Sequence, residues 1–145
     1  MAVASLTISL NSCSSSGGSD SSSKGTITAK VDGVAKTFNV VSVVEEVVDP
    51  GTEFEYTQLN VTGKIGTTEI ITFCFLKGAT GSTAYGNEVF SYTKNGVTYV
   101  DDGTATFNVT TNSIASKSIV GTFSGPYTDG TNSITFTEGA FNIQY

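Results

Sequence analysis

The chain has 145 residues, with seven lysines, no arginine and no histidine against thirteen acidic residues, for a net charge of −6. Such a balance is wrong for nucleic acid, whose phosphates need a basic face, and gives no electrostatic hold on anionic lipid. Without histidine, every Ser-His or Cys-His nucleophile and every His-ligated zinc, copper or iron site is excluded.

Met1 to Leu10 is uncharged and mostly apolar or small. It is too short for a membrane span and matches the length of a signal-peptide h-region. The run ends in Leu10-Asn11-Ser12-Cys13, followed at once by the polar stretch Ser14-Ser15-Ser16-Gly17-Gly18-Ser19-Asp20-Ser21-Ser22-Ser23. An apolar run, a small residue, Cys and a polar tether together resemble the lipobox of bacterial lipoprotein precursors. That resemblance implies cleavage before Cys13 and acylation of its thiol and new amino terminus. The first lysine is Lys24, so the basic n-region of such a leader is expected upstream of Met1. More than one acyl chain gives stable attachment, since each buried CH₂ contributes about 0.8 kcal/mol. Ser14 to Lys24 then acts as a leash with a reach of roughly 17–20 Å. The expected organisation is a signal peptide over 1–12, a lipidated Cys13 and linker over 13–24, and a single β domain over 25–145. Cys74, in the run Ile70-Ile71-Thr72-Phe73-Cys74-Phe75-Leu76, is expected to be a buried, inert thiol.

Beyond the linker, Thr, Val, Ile, Phe and Tyr dominate, turn signals recur, and no stretch sustains helical periodicity. Asp32-Gly33 predicts a tight hairpin between Thr26–Val31 and Val34–Asn39, with Ile27 facing Phe38. Val40 to Val48 reads as a strand whose buried face alternation does not assign. Asp49-Pro50-Gly51-Thr52 fits a type II turn, but a two-residue hairpin there would set Glu46 against Glu55, so a wider loop or shifted register is expected. Phe54 to Lys64 slips phase between Tyr56 and Leu59, which predicts a bulge near Thr57-Gln58. Glu69–Leu76 reads as a central strand, and Lys77 to Asn87 as a loop carrying Tyr85. Asn95-Gly96 joins Glu88–Lys94 to Val97–Val100 and pairs Tyr92 with Tyr99. Thr104–Thr111, Ser118–Gly125, Ser133–Thr137 and Ala140–Tyr145 complete nine or ten antiparallel strands, with Tyr127–Asn132 as a loop.

Val120-Gly121-Thr122-Phe123-Ser124-Gly125 and Ile134-Thr135-Phe136-Thr137-Glu138-Gly139-Ala140-Phe141 resemble the closing strands of small β-rich outer-membrane lipoproteins of Bacteroidetes-type bacteria. Ile27-Thr28-Ala29-Lys30-Val31-Asp32-Gly33 resembles their first strand and turn. The resemblance implies a lipid-anchored outer-membrane domain, facing the periplasm or the cell surface, and brings no activity or catalytic residue.

Glu45, Glu46, Asp49, Glu53 and Glu55 place five carboxylates in eleven residues. Oxygen-rich clusters on flexible loops suit Ca²⁺, although the spacing matches no calcium loop and exposed ribbons carry solvated carboxylates without a metal. Glu53 and Glu55 share a strand face, as a paired-carboxylate hydrolase needs, yet an outward strand face normally looks the same. Tyr85 and Tyr127 are the binding candidates, because tyrosine is enriched in recognition surfaces and both fall in expected loops. The fold expected is all-β and antiparallel, a two-sheet sandwich, with a lipocalin-like closed barrel as the alternative. The function expected is that of a non-enzymatic envelope accessory touching a protein or glycan. The alternative is a carrier of a small apolar ligand, which needs a cavity above roughly 300 Å³.

Overall fold

A computed structural model describes residues 24–145; the expected leader, Cys13 and the expected linker through Ser23 lie outside the described residues, as do the side chains of Val40 and of residues 86–89. Ten strands follow in order: β1 (Gly25–Val31), β2 (Val34–Phe38), β3 (Val40–Val48), β4 (Tyr56–Ile65), β5 (Glu69–Leu76), β6 (Tyr85–Lys94), β7 (Val97–Asp101), β8 (Thr106–Ser113), β9 (Ser118–Thr128) and β10 (Ser133–Gln144).

The two dipeptide turns set the local frame. Asp32 and Gly33 sit at φ 48° and 80°, and Asn95 and Gly96 at 51° and 84°. Left-handed pairs of this kind twist with the strands they join, which is why Asx-Gly specifies a tight hairpin. Ile27 faces Phe38, Thr28 faces Thr37 and Tyr92 faces Tyr99, as the sequence requires. The β3–β4 connection is wide: Val48 pairs with Tyr56 and Glu46 with Gln58, so the Glu46–Glu55 clash never arises. Within that loop Thr52 N–H donates to the Asp49 carbonyl at 3.2 Å, with Gly51 at φ 78°.

Several expectations need correction. The β3–β4 ladder runs in unbroken register from Val48/Tyr56 to Val40/Lys64, so no bulge lies at Thr57-Gln58. The phase slip disappears because Phe54 stays outside the strand, 71% exposed. The last two strands are one, β10, bulged against β9 between Phe136 and Gly139, where Glu138 sits at φ 52°. β9 runs on through Gly125 and Pro126 to Thr128, which puts Tyr127 in a strand.

All ten strands lie in one antiparallel sheet, ordered β2-β1-β10-β9-β7-β6-β5-β4-β3, with β8 also on β9. The sheet is strongly curled, so in place of the two separate sheets expected of a sandwich there is one, whose two halves face each other across the core. Phe73 on β5 shows the packing: its ring lies 5.1–5.9 Å from those of Phe75, Phe90, Phe107, Phe123 and Phe141. Those partners come from β5, β6, β8, β9 and β10, so one side chain joins both halves. Phe38 of β2 meets Tyr92 of β6 edge-on at 6.2 Å. Each fully buried ring of this kind contributes on the order of 1.5–3 kcal/mol. A Cβ on Gly63 would press on the side chains of Ile27, Phe38 and Ile71, so the bare glycine eases the close approach of β4 to β1 and β2. The segment after β5 bridges to β8 through paired Gly81–Val109 hydrogen bonds of 2.8 and 3.1 Å.

Candidate functional site

The five acidic residues are spread along the far half of β3, the loop after it and the approach to β4. Glu45 pairs with Lys77. Glu46 Oε2 accepts from Gln58 Nε2 at 2.9 Å and from Asn60 Nδ2 at 2.8 Å. Glu55 Oε2 accepts from Gly51 N–H at 2.6 Å, folding the loop on itself. Asp49 and Glu53 are exposed. Among the described residues no three acidic or thiol side chains gather into a group that could hold a metal ion. Repulsion among these carboxylates is relieved by lysine, amide and backbone donors.

Neither Tyr85 nor Tyr127 falls in the loop expected for it. Tyr85 opens β6, partly exposed, with its ring 6.4 Å from Phe107. Tyr127 is fully buried, 4.1 Å from the Phe90 ring and 5.1 Å from Phe136. Its hydroxyl reaches no hydrogen-bond partner among the described residues, and burial, helped by Asp101, pushes its ionisation far above the usual phenol range. Cys74 is buried, as its neighbours require.

A polar array that sequence reasoning missed lies where the curl brings β2 over β5 and β6. Glu69, the first residue of β5, accepts from Lys36 Nζ at 2.8 Å through Oε1 and from Tyr92 OH at 2.7 Å through Oε2. The Lys36 and Glu69 side chains are 20% and 13% exposed, so solvent screens the pair only in part. Burial alone would raise the Glu69 carboxyl, but the Lys36 and Tyr92 hydrogen bonds, with the Lys36 and Lys94 charges, hold it below its ordinary 4.5. The same geometry pushes the Tyr92 phenol far up, chiefly through burial and then through Glu69. Lys36 is 33 residues from Glu69, on strands that are not ladder neighbours, and no sequence signal joins them.

On the outer face, Thr106, Asn108, Thr122, Ser124, Glu138 and Gly139 rim a shallow depression of about 240 Å³. That lies below the roughly 300–1,000 Å³ of sites that enclose small ligands. The molecule is thus an all-β, antiparallel, curled-sheet domain with rings filling the inside of the curl and a partly buried polar array of Lys36, Glu69 and Tyr92. No family model, curated protein or solved structure matches the chain.

Proposed function

We propose that this chain is a lipid-anchored, non-enzymatic module of the bacterial cell envelope, held at the outer membrane through Cys13 and working by surface contact with a partner. The observation that carries the reading is Leu10-Asn11-Ser12-Cys13 followed directly by a Ser/Gly tether. The placement of the folded unit supports it, because β1 begins at Gly25, directly after that tether. The aromatic packing of Phe73 and its neighbours supports contact over internal carriage, since rings occupy the space a lipocalin-like ligand would need.

The test is fractionation and mass measurement of the protein in a bacterial host that processes lipoproteins. The wild type is expected in the membrane fraction, with acyl mass on an amino-terminal Cys13, and Cys13→Ser in the soluble fraction. A Cys13→Ser protein that still sediments with membranes, or a wild type without acyl mass, would overturn the proposal.

A further inference from the structure

We infer that the outer edge of β3 is a strand-addition site for an extended, lysine- or arginine-bearing peptide segment of a partner protein. β3 ends the sheet path and pairs with β4 alone among the described strands. Lys24 N–H donates to the Val41 carbonyl at 2.9 Å. Lys24 is not on β4, so Val41 turns its polar backbone to the open side. By strand alternation Val43, Glu45 and Val47 do the same. Past Val41, no described residue outside the strands bonds to these groups. Lys24 therefore shows in miniature how this edge receives a chain.

The edge is protected only in part. Exposed edge strands are normally kept short or broken by charged side chains, lysine above all, by proline or by a bulge. β3 is nine residues, VVSVVEEVV, in unbroken register, without lysine or proline and with charge only at Glu45 and Glu46, which guards against a like-charged strand and leaves the edge open to a basic one. Val44 and Val47 are 43% and 51% exposed, and Phe54 adds apolar surface just beyond. An added strand would satisfy the outward backbone groups and cover the valines in one step, the mode by which sheet edges take peptides.

Charge decides the occupant. Glu45, Glu46, Asp49, Glu53 and Glu55 run along this edge and the loop it leads into, and Lys77 pairs with one of them. A second copy would bring another five carboxylates to the same line, so self-pairing is opposed. The chain's own Ser/Gly tether carries Asp20 and little strand propensity, so it competes poorly. A segment alternating aliphatic and basic residues matches both valines and carboxylates.

This inference deepens the contact role proposed above and rests on it only for where the partner is met. The probe is a ten-residue peptide of alternating valine and lysine, with a control in which glutamate replaces lysine, titrated onto the full-length protein in non-ionic detergent. The lysine peptide is expected to bind, to slow hydrogen exchange at the Val43, Glu45 and Val47 amides, and to weaken about tenfold between low salt and about 0.5 M. Val47→Pro removes one outward N–H while sparing the bonds to β4, so the thermal midpoint should hold and binding should fall about tenfold. Glu53→Lys, in the loop, should weaken binding severalfold without touching the strand. The inference is overturned by equal binding of both peptides, by protection away from β3, or by unchanged binding in Val47→Pro. Self-association that protects the same amides without peptide also overturns it, in favour of a second copy. Membrane attachment is read separately: a protein that sediments with membranes yet ignores the peptide defeats this inference and leaves the anchoring proposal standing.

Discussion

At the scale of single residues, Tyr92 and Tyr127 are both fully buried tyrosines with opposite hydrogen-bond situations. Tyr92 OH donates to Glu69, while Tyr127 OH reaches no partner among the described residues. A buried hydroxyl without a partner has lost its hydration for no return, and removing it at constant shape is nearly neutral or favourable. Tyr127→Phe should therefore leave stability unchanged or raise it by up to about 1 kcal/mol in urea denaturation, whereas Tyr92→Phe should lower it by about 1–2 kcal/mol. A large loss in Tyr127→Phe would mean that its hydroxyl has a partner after all. The placement of Tyr127 was not legible in the sequence: Gly125-Pro126-Tyr127-Thr128-Asp129-Gly130 has the composition of a turn. Gly125, at φ 142°, instead carries the strand past Pro126. Cys74, by contrast, follows from its apolar neighbours alone.

At the scale of elements, turn chemistry decided what could be read. Asp32-Gly33 and Asn95-Gly96 each fix a register, and like charge at Glu46 and Glu55 rules out the tight version of the third hairpin. Where the deciding residue lacks a turn signature, the sequence is silent. Glu138 at φ 52° makes the β10 bulge, yet nothing marks glutamate for that conformation, so one long strand reads as two. Lys117, closing the β8–β9 turn at φ 49°, is a second residue of this kind. A left-handed conformation costs an ordinary L-residue about 1–2 kcal/mol, against about 0.5–1 for glycine's extra freedom in the unfolded chain. Lys117→Gly is accordingly expected to raise stability by up to about 1 kcal/mol, and an unchanged or lower denaturation midpoint would refute that reading.

At the scale of the whole molecule, the all-β antiparallel class follows from strand periodicity and turn spacing, but the curl does not, and neither do contacts that exist only because of it. Lys36, Glu69 and Tyr92 meet because β2 folds over β5 and β6. Each lies on a strand correctly anticipated, yet the array is a property of closure. It gives the molecule an acid-sensitive brace. Glu69 ionises more easily in the folded chain than its ordinary 4.5, so its contribution is present above that pH and fades as pH falls through the lowered folded value. Glu69→Gln should be less stable than the wild type near neutrality by about 1–3 kcal/mol. The gap should narrow as denaturation is repeated below about pH 4.5. A gap that stays constant with pH would show that Glu69 acts through shape alone. The carboxylates of the β3–β4 region illustrate the same limit: their number is plain in the sequence, but their distribution among lysine, amide and backbone donors is set by the ladder.

Lys24 carries a mechanical consequence. Its N–H is held by Val41 of β3 and its carbonyl by Gln144 of β10, and Gly25, at φ 145° with no Cβ to strike the Asn142 carbonyl, lets one residue face both ways. A pull arriving along the preceding residues meets two strands at that one residue, so both grips lie at the point of entry. Under the proposed anchoring through Cys13, that shared grip lies at the stitch where load would enter the folded unit.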